Sequence, residues 1–577
     1  MPKAIVLFFV SLLLMVACQA PAPTDTSSTD GADAEQEMSG KPQQGGFLVE
    51  SISADATTLN PLFAQDDPSF RAITKIYLSL LNTDPFSGEI IGSIAESWEA
   101  SDDSLEYTFY LRDDINWSDG TPLTAKDVKF TFDAIASEEV GSSRAFAVQL
   151  VEEVQMVDDY TVKFVFTDVD CSALGNLGMN ILPAHKFAAD FSDMVDSPEN
   201  EAPSVGSGPF LFKEWARDDH ITLVANPDYY KGAPNVDGWT LRVFADSAAE
   251  LEAILAGEID VGAVEPQFVS TVEDAIAAGD PLAITKSFSD GYQYITFNLA
   301  DPNNAQRGYV DENGNEAFDP DEPPLINDPH PVLGDIAVRK AIAHSIDYGN
   351  LIDKVLFGQG VQAVADILPA VEWAYDDTLE PYAFDPELAA SILDEAGWVA
   401  ESEGAVRAKD GVPLSFTLAT DAGSDTNENI LLIVKDSLEQ IGFEVNLDIM
   451  EWGALIDILD NQTYDAVKIG WVGLGSDPDN SWYWTYRNDD PGFGFNSGSY
   501  YNETQEANIW AARSVPGCAT EERAPYYKEN QQIVYDEQPY TFLYVPLANT
   551  ITHTRVNGTN PGPWSTYYNV EEWFIQQ

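Results

Sequence analysis

The clearest alternation of apolar and polar positions lies between residues 105 and 111. Leu105, Tyr107, Phe109 and Leu111 alternate with Glu106, Thr108 and Tyr110. That period of two predicts a strand buried mainly on one face. Asp119-Gly120 follows as a turn, since glycine tolerates the backbone angles of a tight reversal. Thr124 then stands where a helix N-cap would, with acidic Asp127 three residues on. Val128, Phe132 and Ile135 continue at helical spacing. Further strands are predicted at Phe47–Ser53, Thr161–Phe166, Tyr292–Asn298, Ser415–Thr420 and Glu444–Asp448, with a β-like tail from Phe542. Residues 331–530 alternate helices with strands, which reads as α/β. No solenoid-type repeat is evident.

The N-terminus departs from this pattern. Lys3 precedes an apolar run, Ala4 to Met15, that is too short to span a bilayer. Leu14-Met-Val-Ala-Cys18 looks like a lipoprotein cleavage box, in which Cys18 becomes the acylated N-terminus. The other reading is an ordinary secretory signal with a chance cysteine. Both predict an exported protein, at the outer face of the cytoplasmic membrane or in the periplasm. Residues 19–46 lack core-forming aliphatics and read as a disordered tether, which would keep the protein near a membrane partner.

Composition narrows the function. The 577 residues include 96 acidic and 28 basic side chains, a formal charge of −68. That balance argues against nucleic acid, whose phosphates need a basic surface. The acids are spread along the whole chain, which fits a solubility adaptation to salty surroundings better than steering of cationic ligands. Cys171 and Cys518 remain after the signal region; an exported setting permits a disulfide, and two buried free thiols are the alternative. The P-loop, HExxH, GxSxG and CxxC motifs are missing, so neither an ATPase nor a recognisable hydrolase is encoded here. The five histidines are scattered and read as structural, and no cofactor is required.

The acidic insertion 301–335 holds one candidate metal loop. Asp311, Asn313, Asn315, Asp319 and Glu322 fall at loop positions one, three, five, nine and twelve, with the Ala317 carbonyl at seven. Calcium takes six to eight oxygens, and this spacing can wrap them around one ion in a structural role. Gly314 at position four departs from the EF-hand pattern, and a solvated acidic hairpin is the alternative.

A longer set of residues carries a family resemblance. Ala95-Glu-Ser-Trp-Glu-Ala-Ser-Asp-Asp103, Tyr107-Thr-Phe-Tyr-Leu-Arg-Asp113 and Trp117-Ser-Asp-Gly-Thr-Pro-Leu-Thr-Ala-Lys-Asp-Val-Lys-Phe-Thr-Phe-Asp133 come first. Val205-Gly-Ser-Gly-Pro-Phe210, Asn226-Pro-Asp-Tyr-Tyr-Lys-Gly232 and Ala256-Gly-Glu-Ile-Asp-Val-Gly262 follow. Val338-Arg-Lys-Ala-Ile-Ala-His-Ser-Ile-Asp347, Asp385 to Trp398, Tyr464-Asp-Ala-Val467, Asp477-Pro-Asp-Asn480 and Glu571-Glu-Trp573 complete the series. Together they resemble the family 5 extracytoplasmic solute-binding proteins, the dipeptide-, oligopeptide- and nickel-binding components of ABC importers.

The resemblance implies an α/β, two-lobed periplasmic-binding-protein fold (type II-like) with a hinge and an extra subdomain. Residues 47–90, 205–300 and 531–577 would build lobe I, 91–204 the extra subdomain and 336–530 lobe II. It implies a monomeric receptor, not an enzyme, that hands a small ligand to permease subunits served by a separate ATPase. Peptide is the leading ligand class, an oligosaccharide the runner-up, and nickel is disfavoured without a histidine cluster. A secreted hydrolase and a calcium-dependent adhesin are readings from other classes. The glycine-rich segment 469–484 is the ligand-site candidate, with Trp471, Asp477, Trp482 and Trp484, joined by Asn298. In the family's peptide binders an aspartate in this loop commonly pairs with the peptide ammonium; here Leu474 occupies that place. Either Asp477 takes the ammonium through a shifted loop, or the ligand has no such amine.

Overall fold

The computed structural model describes residues 44–304, 329–479, 481–485, 495–562 and 564–576. The candidate calcium loop (Asp311, Asn313, Asn315, Ala317, Asp319, Glu322) and the lipidation candidate Cys18 lie outside these residues.

The opening pattern folds as its spacing predicts. Tyr107, Phe109 and Leu111 are buried within the strand Glu106–Leu111, while Leu105 sits just ahead of it. Thr124 caps the helix Ala125–Ile135 in a reciprocal capping box, its amide donating to Asp127 Oδ2 at 2.9 Å. Val128, Phe132 and Ile135 point into the core. The strands Ala95–Ala100, Glu106–Leu111, Thr161–Phe166 and Val151–Asp158 form a four-stranded antiparallel sheet in that order. This subdomain is not an independent unit. Phe109, Phe132 and Phe164 belong to the same apolar core as Leu48, Leu223 and Trp239 of lobe I.

Among the described residues, one twelve-stranded sheet passes through both lobes. Its lobe I end contains Phe210–Ala216, His220–Ala225, Gly238–Val243 and Phe47–Ile52. Its lobe II end contains Tyr292–Phe297, Ala466–Trp471, Ser415–Asp421 and Glu444–Met450. The strand Tyr540–His553 joins the ends. Tyr540 to Tyr544 pair with residues 293–296, Val545 and Pro546 with Val361 and Gly360, and Leu547 to His553 with Leu282–Phe288.

The core of lobe II gathers Tyr292 to Phe297 and Tyr540 to Val545 as well as the helices beyond residue 336. Residues 292–300 and 531–546 were expected in lobe I; they pack with lobe II. The strand Tyr292–Phe297 pairs with Ala466–Trp471 on one side and with Tyr540–Tyr544 on the other, and pairing fixes which core their side chains enter. Among the described residues the chain therefore changes lobes at Ser289–Gly291 and again at Pro546–Leu547. These crossovers touch, with the Ser289 amide donating to the Pro546 carbonyl at 2.9 Å. Gly291 is required there, because a Cβ would lie 1.9 Å from the Trp471 carbonyl oxygen.

Candidate functional site

The strand Ala466–Trp471 delivers its chain into a loop, residues 472–479, between the lobes. Gly473 and Gly475 hold left-handed backbone angles, φ 69° and 72°, which let the loop double back. The Leu474 amide donates to the Asp290 carbonyl in the first crossover at 3.0 Å. Ser476 Oγ donates to the Gly88 carbonyl of lobe I at 2.6 Å. The loop thus touches the hinge and the opposite lobe.

Aromatic rings form the wall behind it. Trp471 stacks on Tyr294 (6.1 Å between centroids, 22° between planes) and leans on Tyr483 at 5.6 Å. Phe495 meets the Trp471 ring edge-on and also reaches Phe146 on the lobe I side, 6.2 Å away. A small pocket opens beside the loop, lined by Leu474, Pro478, Tyr483, Asp366, Leu368 and Val371 among others. Asp290 is an acid of the hinge that accepts from the Gly473 amide of this loop. Burial pushes its carboxyl up, and the neighbouring Asp67 charge on lobe I adds to that, against the lowering effect of the Gly473 amide.

The predicted site residues separate when placed in space. Trp471 stands in the wall. Trp484 does not: it is 1% exposed, and its Nε1 donates to Asp366 Oδ2 at 2.8 Å. The helix Ser481–Trp484 turns it into the lobe II core, against Tyr540 and Tyr500. Trp482 lies on the same helix, and its side chain is outside the described residues. Asn298 is fully buried; its amide donates to the Gln462 and Tyr464 carbonyls, and its Oδ1 accepts from the Ala300 amide. It fastens the end of a strand rather than facing a cleft.

Asp477 has both carboxylate oxygens on Arg523, at 2.7 and 2.9 Å. A bidentate pair with a buried guanidinium commits that carboxylate to the helix behind the loop. Asp477 also lines the small pocket, where a ligand ammonium would share a carboxylate already held by Arg523. Tyr294, Phe146, Phe495, Asp366 and Asp290 were not singled out from sequence. Only Tyr294 carried a local signal, by lying on a predicted strand at a lobe crossover.

The lobes also meet away from the loop. Thr426 Oγ1 lies 3.2 Å from Glu265 Oε2 and 3.1 Å from Gln267 Oε1. Cys171 and Cys518 form a disulfide with Cα atoms 5.2 Å apart, so the paired alternative is the one adopted. Among the described residues, no group of three or more His, Cys, Asp or Glu side chains is arranged to hold a metal ion. Among them, no helix is long and apolar enough to cross a membrane.

Known proteins share this architecture. The oligopeptide-binding protein AppA of Bacillus subtilis is 29% identical over 579 residues, covering 99% of this chain and 98% of its own length. Its structure, in complex with a nonapeptide, superimposes with a TM-score of 0.81 at 28% identity over 93% of this chain and all of that one. NikZ of Campylobacter jejuni, solved with Ni(L-His), shares the fold with a TM-score of 0.78 at 21% identity, over 92% of this chain and 99% of that one. Residues 89–493 match the family described as bacterial extracellular solute-binding proteins, family 5 Middle. The chain belongs to that family of extracytoplasmic solute-binding proteins.

Proposed function

We propose that this chain captures peptides between its lobes and delivers them to the permease subunits of an ABC importer, anchored by lipid at Cys18. The observation that carries the reading is the loop 472–479, held at once by the hinge carbonyl of Asp290 and by Gly88 of the opposite lobe. A ligand beside this loop touches both lobes, so its contacts favour the closed arrangement over an open one. The similarity to an oligopeptide-binding protein over nearly the whole chain supports a peptide. With Leu474 in the loop and Asp477 held by Arg523, Asp290 is the acid that we assign to a ligand ammonium.

The oligosaccharide reading needs free aromatic faces. Trp484 is in the core, and Trp471 has Tyr294 stacked on one face and Tyr483 leaning on it. These placements favour the peptide. The calcium reading of residues 311–322 is carried by their sequence pattern, and elemental analysis after dialysis tests it; one calcium per chain is the expected result.

Native mass spectrometry of the purified protein, with released ligand sequenced, tests the peptide assignment. A heterogeneous excess that resolves into short peptides is expected; a hexose-spaced ladder would replace peptide with sugar. Asp290→Asn should weaken binding of free-amine peptides by about tenfold or more while leaving N-acetylated peptides unaffected, since a charge-assisted hydrogen bond is worth about 1.5–3 kcal/mol. Titration calorimetry with matched peptides reads the difference.

A further inference from the structure

We propose that the Cys171–Cys518 disulfide is a second pin between the lobes, which with the hinge confines opening to rotation about one axis and keeps the rim beside it shut. The two cysteines are 347 residues apart and stand beside segments packed in different cores. Cys171 lies between Phe166 and Ala173, both in the lobe I core. Cys518 lies in the turn between helices Glu503–Arg513 and Thr520–Glu537, whose Ile509, Ala512, Tyr527 and Val534 belong to lobe II. The bridge therefore crosses from one lobe to the other, at a place the backbone does not.

The contacts around the bridge are built for a fixed junction. The Cys171 amide donates to the Arg513 carbonyl at 2.7 Å. Arg513 pairs with Asp170 through Nη2 and Oδ2 at 2.8 Å, and each side chain is only 2% exposed. Parting the lobes here would separate Asp170 from the Arg513 guanidinium, a buried ion pair whose rupture is unfavourable. Arg513 also lies 3.7 Å from Asp479, and Arg523 of the following helix holds Asp477. The bridged helices thus grip the far end of the loop 472–479, whose near end is held at the hinge through Asp290.

A rigid body attached at one flexible place can swing in several directions. Attached at two, it can turn only about the line joining them. In this protein that line runs from the crossovers at Ser289–Gly291 and Pro546–Leu547 to the Cys171–Cys518 bridge, and the ligand loop lies along it. The disulfide then sets the direction in which the cleft opens and the rate at which a bound molecule leaves, without touching the ligand. This inference rests on the reading that the lobes part to admit ligand.

Small-angle X-ray scattering of ligand-stripped protein, with and without a pool of nonapeptides, tests it in three forms: oxidised, reduced while folded with a phosphine, and Cys171→Ser/Cys518→Ser. Dissociation of a fluorescein-labelled nonapeptide pool from each form supplies a rate. The expected result is a larger radius of gyration for the stripped reduced and double-variant proteins than for the oxidised one, and severalfold faster release from both. Indistinguishable profiles and rates across the three forms would overturn the pin. If peptide compacts none of them, lobe closure itself is wrong and the pin falls with it. Should the double variant fail to fold, reduction of the folded protein decides the matter alone.

Discussion

Each lobe buries a lysine, and the two are neutralised in opposite ways. In lobe I, Lys75 lies 3.1 Å from Glu50, which also binds Arg71 at 2.8 Å. Its ammonium sits 4.8 Å from the centroids of both Trp239 and Tyr567. In lobe II, Lys468 is as deeply buried, yet its direct partners are the neutral oxygens of Gln293, at 2.7 Å, and Asn427. The charges that favour its protonated form are those of Asp421 in its own lobe and Glu265 in lobe I. Lobe I therefore closes its electrostatics within one core, while lobe II draws part of its compensation from across the interlobe contact. A direct carboxylate makes a charge a fixed part of the core; amide partners leave it dependent on what approaches.

The largest effect should come from breaking the lobe I pair. Glu50→Gln leaves Lys75 and Arg71 without their shared carboxylate and should cost about 3–5 kcal/mol in urea unfolding. Burial alone would raise the Glu50 carboxyl, but the Lys75 and Arg71 charges outweigh it and hold it below its ordinary value. Its stabilisation is therefore present above the unfolded carboxylate range and is lost as pH falls through the depressed folded value.

Lys468 should behave in the opposite sense. Burial lowers it from 10.5 to about 8, so between those values the unfolded chain binds more protons and stability rises with pH. That rise is about 3 kcal/mol at most. Lys468→Met should abolish it and leave the variant more stable than the natural protein at pH 7, as denaturant titrations across pH 7–11 would show.

The smallest effect sharpens the contrast. Glu265→Gln removes the cross-lobe charge that favours protonated Lys468, so the lysine should titrate a few tenths of a pH unit lower, about the loss of one distant charge. NMR of lysine Cε resonances reads this directly. An unchanged Lys468 would show that lobe II, like lobe I, is electrostatically self-contained.

Much of the fold was legible because it is local. The alternation at 105–111, the turn at Asp119-Gly120 and the Thr124–Asp127 capping box are each encoded within a few residues. The candidate site was legible only as a segment. Residues 472–479 form the loop between the lobes and Trp471 stands in the wall behind it, but the other candidate roles went elsewhere. Trp484 entered the core, Asp477 went to Arg523, and the acid beside the loop came from Asp290, nearly 200 residues earlier. A tryptophan reads the same in sequence whether its ring faces a cleft or a core, because only its three-dimensional neighbours distinguish the two.

The sequence by itself determined the family resemblance, the capped helix and strand of the signature region, and the α/β alternation of lobe II. Their causes are short-range: side-chain periodicity, capping and turn geometry. Tertiary structure alone decided that Tyr292–Phe297 and Tyr540–Val545 serve lobe II, and that Asn298 is a strand fastener. It also decided that Cys171 meets Cys518 across 347 residues. These depend on which surfaces the folded chain brings together. Strand pairing and close packing fix those neighbours, and they carry no local signature that spacing along the chain could reveal.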